Sequence, residues 1–127
     1  MVISNSTKTI LIVDDEQDTV KLLSIRLAKN GYAVIPCYTG SEALSAVQNK
    51  IPDLAILDIR LPDTDGYELL KTFRQNDALA HMPVIFSTAD ANVAVRKTIK
   101  EHDADDCVIK PYDAHELLKK IENLLAA

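Results

Sequence analysis

Glycine is scarce, with only Gly31, Gly40 and Gly66 in 127 residues. A phosphate-cradling P-loop needs several glycines close together, so nucleotide binding through such a loop is excluded. Basic residues never cluster into a run, and the formal net charge is −5. Duplex affinity rests on neutralising phosphates, so the domain is not read as one that binds nucleic acid directly. No apolar stretch approaches the roughly 20 residues that span a bilayer. Met1 to Thr9 lack the apolar segment of a signal peptide. Cysteine is limited to Cys37 and Cys107, without metal-type spacing. They read as small core residues in a reducing compartment, with the cytoplasm as the default location.

What is present is ordinary for a globular chain: 47% hydrophobic and 26% charged residues. The length fits one domain, residues 1–127, with a core from about 9 to 125. Five short apolar runs read as strands: Thr9 to Val13, Ala33 to Tyr38, Leu54 to Leu57, Val84 to Phe86 and Cys107 to Ile109. Between and after them the spacing predicts five helices. These run over about Asp18 to Asn30, Ser41 to Asn49, Tyr67 to Arg74, Asn92 to His102, and from a cap at Asp113 to Leu125. Candidate caps at Asp15 to Asp18 open the first, and Gly31 ends it. Asp113 with Glu116 forms a capping-box-like pair. Strands alternating with helices predict a doubly wound, parallel α/β sheet. Pro36 cannot donate to a ladder, which places the second strand at an edge. The flavodoxin-like order 2-1-3-4-5, with helices on both faces, does the same.

Four of the five strands are followed at once by polar residues. Asp14 and Asp15 follow the first, Asp58 the third, Thr88 the fourth and Lys110 the fifth. In a parallel sheet these ends share one edge, and ligands bind where the winding reverses, between strands one and three. Three carboxylates meeting there repel unless a proton or a cation joins them. Hard oxygen ligands in an open crevice suit Mg²⁺. Lys110 adds a point-charge phosphate partner and Thr88 a hydroxyl donor. Together they describe phosphoryl transfer, with Asp58 on the central strand as the acceptor and the phosphoryl group arriving on another molecule.

The set Asp14-Asp15, Asp58 followed by Leu61-Pro62 and Asp65-Gly66, Thr88-Ala89 and Lys110-Pro111 resembles the receiver domain of two-component response regulators. The resemblance spans Ile10 to Leu125. It implies phosphorylation of Asp58 by a histidine kinase or a histidine phosphotransfer protein, followed by autodephosphorylation, in a signalling protein and not a turnover enzyme. It also implies that Asp15, Asp58 and the backbone carbonyl of Arg60 ligate Mg²⁺, that Asp14 acts mainly through a bound water, and that Thr88 and Lys110 contact the phosphoryl oxygens. The Lys110-Pro111 peptide is expected to be cis. The switching surface, or a homodimer or output contact, is expected on the face of the fourth helix, fifth strand and fifth helix.

Two positions depart from the family pattern. Cys107 stands where an aromatic residue usually reports the switch, which leaves open a phosphorelay shuttle without a large conformational change. Asp103 stands where the family often has glycine, and aspartate tolerates left-handed backbone better than most residues. Arg60 and Asp90, two residues beyond Asp58 and Thr88, are expected to face each other over the mouth of the site, beside Ala89, and to limit entry of water. Asp63 and Asp65 read as turn residues. Two other readings are a Mg²⁺-dependent phosphohydrolase with Asp58 as nucleophile and a flavodoxin-like cofactor binder. The Asp-x-Asp pattern common in such hydrolases is absent after the first strand and at the acceptor, where Asp58-Ile59-Arg60 stands.

Overall fold

A computed structural model describes residues 7–90 and 103–126. Its elements in chain order are β1 (Thr9–Val13), α1 (Gln17–Lys29), β2 (Ala33–Cys37), α2 (Gly40–Asn49), β3 (Leu54–Asp58), α3 (Gly66–Arg74), a 3₁₀ turn (Asp77–Leu79), β4 (Val84–Thr88), β5 (Asp106–Ile109) and α4 (Ala114–Ala126). The helix expected over Asn92 to His102 lies outside the described residues. All five strands are parallel, in the order β2-β1-β3-β4-β5. Pro36 lies in the edge strand, as the missing donor requires.

The strand sequences explain the layering. Every residue of β1, β3 and β4 is buried, because helices cover both faces of the sheet. Side chains alternate between those faces along each strand. Leu11, Leu57 and Phe86 pack with Val47 of α2 and with Leu69 and Phe73 of α3. Ile10, Ile56 and Ile85 pack on the other face with Leu27 of α1 and with Leu117 and Ile121 of α4. An uninterrupted apolar run therefore serves two cores at once.

Helix ends show where local chemistry acts. Asp65 caps α3 by accepting the Glu68 N–H at 2.9 Å. Thr39 caps α2, which begins at Gly40, one residue before the expected Ser41. At α1 the residue in the cap position is Glu16, whose side chain makes no cap bond. At α4 the Asp113 carboxylate accepts the His115 N–H, one position short of the capping-box partner. Gly31 ends α1 with a φ of 89°, and Asp103 adopts a φ of 61°, the left-handed turn expected of it.

Arg74 ties down the sheet edge opposite the carboxylate cluster. Its guanidinium donates to the carbonyls of Leu79 (2.9 Å), Met82 (2.7 Å) and Asp103 (3.0 Å). It thereby joins the end of α3 to the entry of β4 and to the turn before β5. Charge-assisted bonds of this kind contribute more than neutral ones. Arg74→Ala is expected to cost about 2 kcal/mol in urea unfolding, the carbonyls being near enough to the surface to recover some water.

Candidate functional site

The polar residues that end the strands converge at the carboxyl edge of the sheet. The Asp14 N–H donates to the Cys37 carbonyl at 3.0 Å, which seats Asp14 between β1 and β2. Its Oδ1 accepts the Glu16 N–H at 2.9 Å. Asp58 is the last residue of β3 and is 7% exposed. Its Oδ1 accepts the Arg60 N–H at 3.0 Å. Gly66 closes the following loop by donating to the Ile59 carbonyl at 2.7 Å. A Cβ on Gly66 would lie 2.7 Å from the Asp58 carbonyl oxygen, so only glycine lets α3 start this close to the acceptor strand.

Thr88 ends β4, and its Oγ1 accepts the Asp90 N–H at 3.1 Å. Lys110 follows β5, and its N–H donates to the Thr88 carbonyl at 2.7 Å. The Lys110-Pro111 peptide is cis, as expected. The lysine side chain then reaches across the switch point. Its Nζ lies 2.7 Å from Asp14 Oδ2, 2.9 Å from Asp58 Oδ2 and 3.0 Å from Glu16 Oε1. Glu16 was not among the residues singled out from the sequence; its place directly after Asp14-Asp15 was the available signal. Burial alone would push the Lys110 pKa down, but hydrogen bonds to Asp14, Asp58 and Glu16 outweigh it and raise the pKa above the ordinary lysine value. Lys110 is thus held as an ammonium. Burial pushes the Asp58 carboxyl above the ordinary aspartate value, opposed by Lys110 and the Arg60 N–H and reinforced by Asp14.

Asp14, Asp15 and Asp58 each offer a carboxylate oxygen, and these oxygens lie within 4.8 Å of one another. An octahedral ion with Mg–O bonds of about 2.0–2.1 Å spans about 4.2 Å between opposite ligands, so a small closure seats one ion among them. Asp14, Glu16 and Asp58 lie within 3.0 Å of the Lys110 ammonium, and Asp15 adds a fourth carboxylate to the cluster. The donor set and its excess negative charge both fit a hard divalent cation.

The site opens into a cleft of ≈ 450 Å³ whose walls include Asp15, Asp58, Arg60, Thr88, Asp90 and Lys110. Ala89 lies on the same wall. Arg60 is exposed and enters none of the ion pairs formed among the described residues. Cys107 is not at the cleft. It is half-buried, registers beside Phe86 on β4 and packs against the α2–α3 core. Burial, then Asp106, pushes its thiol up, and burial pushes Cys37 up to about 11, so neither is a thiolate at neutral pH. Asp63 and Asp65 bond to the starts of α2 and α3 and are not members of the carboxylate cluster.

This doubly wound sheet, with acidic residues at its switch point and a lysine from the last strand, matches a known family. The model of the response regulator receiver domain matches residues 10–122. The chain belongs to that family, the receiver domains of two-component systems. It is 38% identical to the transcriptional regulatory protein GltR of Pseudomonas aeruginosa, over 96% of this chain and 50% of that protein. It is 36% identical to the alkaline phosphatase synthesis transcriptional regulatory protein PhoP of Bacillus subtilis, over 93% of this chain and 48% of that protein. The chain thus spans about half the length of these curated relatives. Among solved structures it resembles a CheY-like response regulator receiver domain protein from Methanospirillum hungatei. That match has a TM-score of 0.87 and 33% identity, covering 95% of each chain.

Proposed function

We propose that this receiver domain accepts a phosphoryl group on Asp58 from a phosphohistidine of a histidine kinase or histidine phosphotransfer protein. The observation that carries the reading is the placement of Lys110 Nζ, 2.9 Å from Asp58 Oδ2, in a cleft that also presents Thr88. An Asp58 carboxylate oxygen attacks phosphorus, the P–N bond to the donor imidazole breaks, and an acyl phosphate results. Asp15, Asp58 and the Arg60 carbonyl would hold Mg²⁺, with Asp14 acting through water. When bound, the ion spreads the charge that builds up on the transferring oxygens. Lys110 and the Thr88 hydroxyl contact those oxygens, and the Arg60 N–H keeps the acceptor carboxylate oriented. Water later attacks the acyl phosphate and returns the domain to its starting state.

Incubation with acetyl phosphate and Mg²⁺ is expected to add the mass of one phosphoryl group and no more. Catalytic release of phosphate from small esters would instead identify a phosphohydrolase. Arg60 and Asp90 line the mouth of the cleft and limit water entry. Asp90→Ala is expected to speed loss of the phosphoryl group roughly twofold to fivefold, a barrier change of about 0.4–1 kcal/mol, by removing one side chain from the cleft wall. An unchanged dephosphorylation rate would remove Asp90 from this role. Cys107 favours a second reading within the same class. With no aromatic ring to swing at that position, the domain acts as a phosphorelay shuttle and not as a driver of a large switch at the face of β5 and its flanking helices.

A further inference from the structure

Asp63 was expected to be a turn residue, yet its side chain reaches across the fold. Oδ1 accepts the Gly40 N–H at 2.9 Å and Oδ2 accepts the Ser41 N–H at 3.0 Å. These are the first two residues of α2. The other donors of that first turn are already satisfied locally, Glu42 N–H by Thr39 Oγ1 at 3.0 Å and Ala43 N–H by the Thr39 carbonyl at 3.2 Å. The helix thus supplies half of its own cap and takes the rest from a loop 22–23 residues away. Packing at Gly40 gives an independent sign of close docking. A Cβ there would overlap the Thr64 methyl, so the loop tip rests directly on the helix backbone.

That loop is the one that leaves Asp58. Within it the Arg60 N–H binds the acceptor carboxylate, the Leu61 N–H donates to the Thr64 carbonyl at 3.2 Å, and Arg60 bridges to Asp65. Its start is tied to β4, where the Ile59 N–H donates to the Ser87 carbonyl at 3.0 Å, and its tip is tied through Asp63 to a helix that packs on the same core as α3. We propose that Asp63 is a positioning residue for the phosphoacceptor site: its two-pronged bond to α2 anchors the loop, and so fixes where the Arg60 carbonyl sits beside Asp58.

The inference rests on the phosphoacceptor reading for its consequence, but not for the latch itself. The carboxylate is held ionised, since the Gly40 and then the Ser41 N–H pull its pKa below the ordinary aspartate value. Groups that orient a metal ligand without touching the ion typically change affinity by about 10–100-fold when removed.

The test compares the wild-type chain with Asp63→Ala and Asp63→Asn at a temperature where circular dichroism shows all three folded. Amide hydrogen exchange is read at Arg60 and Leu61, and Mg²⁺ affinity by titrating magnesium chloride against amide shifts. Asp63→Ala is expected to speed exchange at both amides and to weaken Mg²⁺ about 10-fold. Asp63→Asn keeps one acceptor oxygen and should recover part of both. A lower Tm with exchange and affinity unchanged would overturn the proposal and reduce Asp63 to a helix cap. Should Asp63→Ala not fold, Asp63→Asn decides alone, with wild-type affinity counting against the latch and a severalfold weakening supporting it. A wild-type chain that bound no Mg²⁺ would defeat the phosphoacceptor reading, whereas faster Arg60 and Leu61 exchange in Asp63→Ala would still uphold the latch.

Discussion

Asp58→Asn is expected to take up no phosphoryl group from acetyl phosphate and Mg²⁺, while its fold survives. An amide oxygen keeps the acceptor geometry for the Arg60 N–H, now 3.0 Å from the carboxylate, but it is not a competent nucleophile toward phosphorus. The loss is therefore one of chemistry and not of structure. Stability moves the other way. Asp14, Glu16 and Asp58 share the Lys110 ammonium and Asp15 lies beside them, so deleting one negative charge relieves repulsion in a buried place. Without divalent cations the variant is expected to melt about 3–5 °C higher, corresponding to about 1 kcal/mol for a domain of this size. Mass spectrometry of the reaction and a thermal melt in chelator check the two halves separately. A variant that still gained a phosphoryl group would move the acceptor to another residue.

Lys110→Ala has the opposite signature. The ammonium lies within 3.0 Å of three carboxylates, and the side chains of Asp14 and Asp58 are only 4% and 9% exposed. Removing the cation leaves two buried carboxylates facing each other. Breaking a buried ion pair on one side costs about 3–5 kcal/mol, and the lower end applies here because Asp58 can take up a proton. The expected loss is about 3 kcal/mol in urea unfolding at neutral pH with chelator present. Millimolar-range Mg²⁺ should restore much of it, since a divalent ion replaces the missing charge. Phosphoryl uptake is expected to slow about 10²-fold, the usual effect of deleting one donor to an oxyanion. Uptake at the wild-type rate would show that Lys110 balances charge in the resting domain without touching the phosphoryl group.

The sheet and the main site residues were readable because their signals are local. Leu54 to Leu57 is apolar without a break, and Asp58 ends it; burial on both faces and the polar strand end follow from that alone. Pro36 placed the second strand at an edge, in agreement with the order β2-β1-β3-β4-β5. Asp103 gave its left-handed turn by being an aspartate in a glycine's place. What escaped lies in contacts between distant segments. Glu16 and Lys110 are 94 positions apart, and the only hint at Glu16 is its place directly after Asp14-Asp15. Asp63 satisfies every rule for a turn residue, so its hold on α2 is invisible until the loop and helix are side by side. Arg74 reads as a helix-ending basic residue, which it also is, and its three carbonyl partners come from two separate turns. At α4 the order of residues suggested a reciprocal cap, but the Asp113 carboxylate turned to the His115 N–H.

Among the described residues the sheet ends at two border strands, which bear on how copies of this domain meet at high concentration. One border is β2, interrupted by Pro36; the other is β5, where Lys120 of α4 grips the Asp106 carboxylate at 3.0 Å. A strand lacking a donor and a strand guarded by a fixed charge pair are both poor templates for adding a foreign strand. Ladder-to-ladder polymerisation is therefore disfavoured at either end. Any self-association is expected through side chains on helix faces and not through strand edges.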